Sequence, residues 1–266
     1  MILDRILADK RRQIENIFDT DYIKKIRTVN KVNVKEKAFY NSLFSDNGPA
    51  LIGEIKKASP SAGVLRENPD VFKIAQEYDA AEVEALSVVT EKNYFLGDTM
   101  FIREARKATG KPILRKDFII DQLQIYESAY LGADAILLIA VILTRKQLSQ
   151  FIRMSESLGM DCLVEIHDEE GLSKAVDSGA GLIGINNRDL KTMQVMPDTT
   201  RRIMENTRIG LPVVAESGIT DHEAYEFVKK CGVTAVLAGE AFMRSVSIAK
   251  KAKELRYGSQ SQDMRS

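Results

Sequence analysis

The chain has no tryptophan, and in 266 residues it has only two cysteines, Cys162 and Cys231, and two histidines, His167 and His222. No C-x-x-C pair or Cys/His grouping occurs, which leaves no basis for a structural zinc site. Each cysteine sits beside an apolar run, so both read as buried free thiols, as in a reducing cytoplasm. Excess charge of one sign is also absent, since Lys+Arg and Asp+Glu both number 38. A general polyanion binder needs a positive excess, so nucleic acid is not an expected partner and any anion site has to be local. No run approaches the ~20 apolar residues of a membrane span. Asp4 and Arg5 bring charge too early for a secretory signal. A cytoplasmic protein without a membrane partner is expected.

What is present is a regular alternation. Apolar runs fall at 50–55, 85–89, 112–114, 135–140, 162–166, 182–185, 212–215 and 235–238, with helical patterns between them. Runs this short, apolar on both faces, are what parallel strands covered by helices look like. Asp121, Thr144 and Thr220 each stand three residues before a Gln or Glu and read as helix N-caps, the last two as capping boxes. Gly132, Gly159, Gly179 and Gly232 supply left-handed helix stops. Eight such units predict a (β/α)8 TIM barrel of class α/β. A doubly wound sheet is the alternative, but the G-x-G-x-x-G turn it would carry after its first strand is missing; Ser59-Pro60-Ser61-Ala62-Gly63 stands there.

The expected organisation is one domain. Residues 1–48 form an N-terminal helical extension, 49–255 the barrel, and 256–266 a polar, disordered tail. Ile2, Leu3, Ile6, Leu7, Ile14 and Ile17 mark an amphipathic first helix, and a second is expected near 36–43. The extension reads as a cap closing one barrel end.

Active sites of such barrels lie at the C-terminal ends of the strands. Glu54 and Lys56 end the first strand and, two residues apart, face the same way. Ser87, Thr90 and Phe95 follow the second strand, Lys116 and Asp117 the third, Glu165 and His167 the fifth. Asn186, Asn187 and Arg188 end the sixth, Glu216-Ser217-Gly218 the seventh, Gly239-Glu240 the eighth. Any one of these is more often a solvated rim residue than a site residue. Two lysines and two or three glutamates on one rim point to acid–base chemistry. Crowded ammonium groups would lower at least one lysine pKa towards neutrality. Ser217, Gly218 and Gly239 stand where barrels commonly hold a phosphate.

Five stretches in order carry a resemblance. They are Glu54-Ile55-Lys56-Lys57-Ala58-Ser59-Pro60-Ser61, Leu114-Arg115-Lys116-Asp117-Phe118-Ile119, Val164-Glu165, Gly184-Ile185-Asn186-Asn187-Arg188-Asp189-Leu190 and Ala215-Glu216-Ser217-Gly218-Ile219. Together with Met1-Ile2-Leu3-Asp4-Arg5-Ile6 and Lys10-Arg11, this set resembles the indole-3-glycerol phosphate synthase family from residue 1 to about 255. The resemblance implies ring closure, decarboxylation and dehydration of 1-(2-carboxyphenylamino)-1-deoxyribulose 5-phosphate, a step of tryptophan synthesis, without a cofactor or metal.

The resemblance also implies roles. Lys116 looks like the general acid of ring closure. Lys56 would hold the substrate carboxylate or act in dehydration, where Glu165 would serve as acid or base. Glu54 would orient the lysines or act as base, and Asn186 would position Glu165 or substrate hydroxyls. Ser59, Gly218 and Gly239 would hold the phosphate, with Ser217 bonding the substrate. Phe95 would meet the anthranilate ring, Ile119 would add apolar wall, and Arg188, Glu216 and Glu240 would complete the rim. A small-molecule phosphorylated substrate is the implied partner, and the family suggests a monomer. The chain departs from the family pattern at Glu82-Val83-Glu84, expected to affect stability, and at Ala62, where a lysine is frequent. No second barrel follows, so a fusion with a neighbouring isomerase is not expected.

Three rivals share the fold. A Schiff-base aldolase would use Lys116 or Lys56 as nucleophile, another phosphosugar isomerase or epimerase would not need two lysines and two glutamates here, and a non-catalytic phosphate binder would have no use for Lys116 or Glu165.

Overall fold

The computed structural model describes residues 2–17, 19–29, 37–189 and 192–259. Eight parallel strands close a barrel: β1 (Ala50–Ile55), β2 (Ala85–Val89), β3 (Ile113–Lys116), β4 (Ala135–Ile139), β5 (Asp161–Ile166), β6 (Ile183–Asn186), β7 (Val213–Glu216) and β8 (Ala235–Ala238). Each pairs with its neighbours in sequence, and β1 closes the ring by pairing with both β2 and β8. The predicted TIM barrel is therefore the observed fold. Three strands run further than expected from their apolar residues. β3, β6 and β7 carry the ladder through Lys116, Asn186 and Glu216, because pairing depends on backbone groups and not on side-chain polarity.

Alternation along the strands divides the core in two. Inward residues such as Ile52, Leu114, Leu137, Leu163, Val214 and Leu237 fill the barrel. Outward residues such as Leu51, Leu86, Ile136, Val164, Ile183 and Val236 meet the helices. That period of two is what lets one strand serve a packed shell and a polar interior together.

The extension caps both ends, not one. Helix α1 (Ile2–Ile17) lies at the top rim, where Ile6 is buried, Tyr94 donates its hydroxyl to Asp9 at 2.6 Å, and Lys10 pairs with Asp117 at 2.7 Å. Helix α2 (Thr20–Arg27) follows, and Tyr22 bonds Glu127 at 3.0 Å. Helix α3 (Ala38–Ser42) brings Phe39 and Leu43, both fully buried, into the same apolar cluster as Ala50, Ala135 and Ala235, the first residues of their strands. Of the expected second helix, residue 36 lies outside the described residues, as do Leu190 and residues 260–266 of the expected tail.

The last helix, Ile248–Tyr257, runs past the expected boundary at 255. Its Arg256 holds both carboxylate oxygens of Glu84 at 2.9 Å, and Glu84 also accepts the Leu51 amide at 2.6 Å. Glu84 thus ties the closing helix to β1 at the bottom of the barrel, the stability role expected of the 82–84 stretch. Reciprocal capping boxes form at Asp121/Gln124 and Thr144/Gln147. The expected box at Thr220 does not form. Asp221 is the N-cap there and accepts from the Ala224 amide, because its carboxylate reaches the first turn while the Thr220 hydroxyl bonds Asp221 instead.

Candidate active site

The strand ends surround a cavity of about 350 Å³ at the top of the barrel. Glu54, Lys56, Ser59, Phe95, Lys116, Glu165, Asn186, Arg188, Glu216, Ser217, Gly218, Gly239 and Glu240 all line it. Of the strand-end residues, Ser87, Thr90, His167 and Asn187 do not line it, and neither does Ile119. It is fully buried in the layer between strands and helices, and Phe118 takes the place on the wall. Parity gives the reason, since counting by twos from the inward-facing Lys116 reaches Phe118.

Five ionic groups meet inside. Lys116 bonds Glu216 at 2.6 Å and Glu165 at 3.1 Å, and Lys56 bonds Glu54 at 2.5 Å. The three carboxylates are 1–2% exposed. Two glycines make room for them. A Cβ at Gly184 on β6 would collide with Glu216, and one at Gly239 would collide with Glu54 and stand 3.1 Å from the Lys56 ammonium. Lys56 therefore lies against the end of β8. Asn186 and His167 flank Glu165, with His167 Nε2 3.5 Å from its Oε1.

Protonation follows from this crowding. Burial alone would push the Lys116 ammonium down, but Glu216, Glu165 and Glu54 more than offset it and hold its pKa above the ordinary lysine value. At Lys116 the expected depression is reversed, because carboxylates stand against its ammonium. Burial pushes Glu216 up to about 7; Lys116 opposes this and Glu165 adds to it. Glu165 goes the other way, held below the usual carboxylate range because Lys116 and His167 outweigh its burial. Three carboxylates stand around two ammoniums, and burial favours the protonated form of Glu216. Glu216 Oε1 is buried and has no hydrogen-bond partner.

The far side of the cavity is different. Ser217 and Gly218 both take left-handed backbone, at φ 66° and 81°, which turns the chain sharply at the end of β7. Ser59 accepts the Ala62 amide at 3.2 Å in the turn after β1. The opposite wall is apolar. Phe95 and Phe118 stand with ring centroids 6.3 Å apart, beside Leu137 and Ile139 of β4. The Arg188 guanidinium donates to the Met193 carbonyl at 2.8 Å. Sequence reading passed over Phe118, Leu137, Ile139 and Glu91. Leu137 and Ile139 lie on an apolar strand and have no polar signature, so only inward parity marks them.

Among solved structures, a mutant tryptophan synthase alpha-subunit from Pyrococcus furiosus superposes with a TM-score of 0.59 at 15% identity, covering 80% of this chain and 98% of its own, which shows the fold alone. Fold and site together define a TIM barrel with carboxylates and ammoniums paired at its strand ends. A family model described as indole-3-glycerol phosphate synthase matches residues 3–255. Two proteins of that name are similar along nearly their whole length. The one from Acetivibrio thermocellus is 45% identical over 258 residues, 96% of this chain and 99% of its own. The one from Caldanaerobacter subterraneus subsp. tengcongensis is 46% identical over 244 residues, 92% and 94% of the two chains. The chain belongs to the indole-3-glycerol phosphate synthase family, ring-closing and decarboxylating lyases of tryptophan biosynthesis that act on a phosphorylated small molecule.

Proposed function

We propose that the inner ionic cluster performs the family's three chemical events on 1-(2-carboxyphenylamino)-1-deoxyribulose 5-phosphate, with Lys116 as the acid of ring closure. When the aromatic carbon bearing the carboxylate attacks the ketone carbon of the sugar chain, negative charge builds on the ketone oxygen. An ammonium held at the pocket floor stabilises that charge where it develops and delivers a proton to it. Glu216, 2.6 Å from the same nitrogen and pushed up to about 7 by burial, can return the proton to Lys116. Loss of carbon dioxide then restores the aromatic ring. Elimination of the new hydroxyl as water, with Lys56 donating the proton it leaves with, completes indole-3-glycerol phosphate. Glu165, ionised and steadied by Asn186, takes the proton removed in that step, while Glu54 holds Lys56 in place.

Lys56, beside Gly239, faces the end of the cavity where Ser59, Ser217, Gly218, Gly239 and Glu240 would receive the phosphate. Phe95 would lie against the anthranilate ring, and Arg188 would face its carboxylate. The observation that carries this reading is the Lys116–Glu216–Glu165 grouping at hydrogen-bond distance on the cavity floor. A single domain acting as a monomer is part of this reading. A cytoplasmic setting fits the two free cysteines.

The test is indole fluorescence on mixing protein with the substrate, since the chain has no tryptophan to obscure it. A saturating rise is expected from the unaltered protein. Lys116→Ala should cut turnover by about 10³-fold, within the range for losing a general acid. Near-normal turnover in that variant would remove Lys116 from the mechanism. Borohydride trapping of a covalent imine would favour a Schiff-base aldolase instead.

A further inference from the structure

One buried carboxylate of the cavity wall has no part in this chemistry. Glu91, just past β2, is 2% exposed, and its partners are backbone amides. Its Oε1 accepts from Asn93 at 3.0 Å, and its Oε2 from Tyr94 at 2.7 Å and Phe95 at 3.0 Å. Its own carbonyl accepts the Gly97 amide at 2.7 Å and closes the loop into a ring. The loop is held against its own preference. Leu96 is 41% exposed yet takes φ 53°, in the left-handed region that side chains with a Cβ avoid. Gly97 cannot carry a Cβ without meeting the Val89 and Glu91 carbonyls. Three charge-assisted bonds to one carboxylate can hold such a shape.

That shape sets three contacts. Phe95 is placed on the wall opposite Phe118. The Phe95 carbonyl accepts the Ala58 amide at 3.1 Å, which ties the loop to the chain leaving β1. Tyr94 reaches Asp9 of α1. The carboxylate thus fixes the apolar end of the cavity from behind, without touching the ionic floor. We propose that Glu91 is a positioning residue for the aromatic end of the substrate, acting through the conformation of the 93–97 loop and the placement of Phe95. The inference rests on the reading above that this end receives the anthranilate ring.

Glu91→Gln keeps the volume but turns one acceptor into a donor facing backbone N–H groups. Two inhibitors separate the ends of the cavity: an N-alkylated anthranilate, with the ring and carboxylate but no phosphate, and inorganic phosphate. In Glu91→Gln the substrate KM and the anthranilate inhibition constant should both rise about tenfold, the size of a disturbed apolar subsite. Inhibition by phosphate should stay within about twofold, and kcat should fall by less than KM rises. Leu96→Pro, at an exposed position whose φ proline cannot adopt, should give the same pattern and serves if the first variant folds poorly. In a Phe95→Ala background, Glu91→Gln should weaken the anthranilate no further, because its effect passes through that ring.

Unchanged anthranilate inhibition in both variants would overturn the proposal, as would equal weakening of both inhibitors or full additivity with Phe95→Ala. If the unaltered protein turned over substrate but was not inhibited by the anthranilate, the aromatic-end reading would fall, and the proposal with it.

Discussion

Arg115 and Lys116 are neighbours on β3 that face opposite ways, and each is the centre of a buried ionic cluster. Lys116 points into the barrel with Glu165 and Glu216. Arg115 points outward, 1% exposed. There it meets Glu127 at 2.9 Å, Asp117 at 3.2 Å, the Thr90 and Ser128 hydroxyls and the Gln124 carbonyl. Lys10 of α1 completes this outer group at Asp117. The outer group has two cations and two carboxylates, so its charge closes. The inner group has two cations and three carboxylates, so its charge does not. The carboxyl pKa values part accordingly. Asp117 is buried too, but Lys10 and Arg115 hold it below the usual range, whereas Glu216 rises to about 7. A closed network fixes architecture, here by pinning α1 to the barrel. In the proposed mechanism the open one supplies a proton at Glu216, whose Oε1 has no hydrogen-bond partner among the described residues.

The largest effect that can break this contrast is on stability. Arg115→Leu removes the cation from a fully buried group and strands Asp117 and Glu127, which should cost about 3–5 kcal/mol. Lys116→Met, at a side chain 18% exposed and facing the cavity, should cost less than about 2 kcal/mol, because its carboxylates can take up protons. Urea unfolding of both variants at neutral pH measures the difference. If Lys116→Met proved the more destabilising, the inner cluster would be architecture and the division of roles would fail.

The second effect lies in pH. Glu216 has a folded pKa of about 7 against an ordinary 4.5. Between those values the folded state binds more protons than the unfolded state, so stability falls as pH rises through that window and the full cost is present above it. Glu216→Gln cannot ionise and should flatten that slope, gaining about 1–3 kcal/mol over the parent at pH 8 relative to pH 4.5. Glu165, held below its ordinary value, has the opposite sign. Its stabilisation is present above the unfolded pKa and is lost as pH falls through the folded one, outside the Glu216 window. Thermal midpoints of parent and variant across pH 4–8 would show it. Parallel curves would mean that Glu216 is not protonated in that window.

The contrast also shows what a sequence discloses. The eight strands and their order followed from apolar runs, because burial on both faces is written in residue type. Most of the cavity rim followed from the rule that barrel sites lie at strand ends. Three things did not. The apolar runs alone stop short of Lys116, Asn186 and Glu216, since polar side chains can end an apolar run without ending a ladder. Arg115 showed no structural role in the sequence, because its partners Glu127, Ser128 and Gln124 come from a helix whose placement the strand pattern does not fix. The lysine pKa was expected to fall on proximity of the two ammoniums. At Lys116 the sign depended on the carboxylates against its ammonium, which is a matter of distances. Ile119 in place of Phe118 was a different kind of miss, since parity from Lys116 was available in the sequence.

The smallest effect tests the end of the cavity that Lys56 faces. Gly218 takes φ 81°, and a Cβ there would stand 2.8 Å from Val195 Cγ1. Gly218→Ala should strain the turn after β7 and narrow the space given to the phosphate, while leaving Lys116, Glu165 and Glu216 where they are. KM should rise about 3- to 10-fold, up to about 1.4 kcal/mol of lost binding, and kcat should fall by less. Inhibition by inorganic phosphate should weaken by the same factor as KM rises, because both report the same contacts. Unchanged phosphate inhibition beside a raised KM would place the phosphate away from the β7 turn. A loss confined to kcat would mean that the turn acts through the ionic floor, and the two ends of the cavity would not be separable as described.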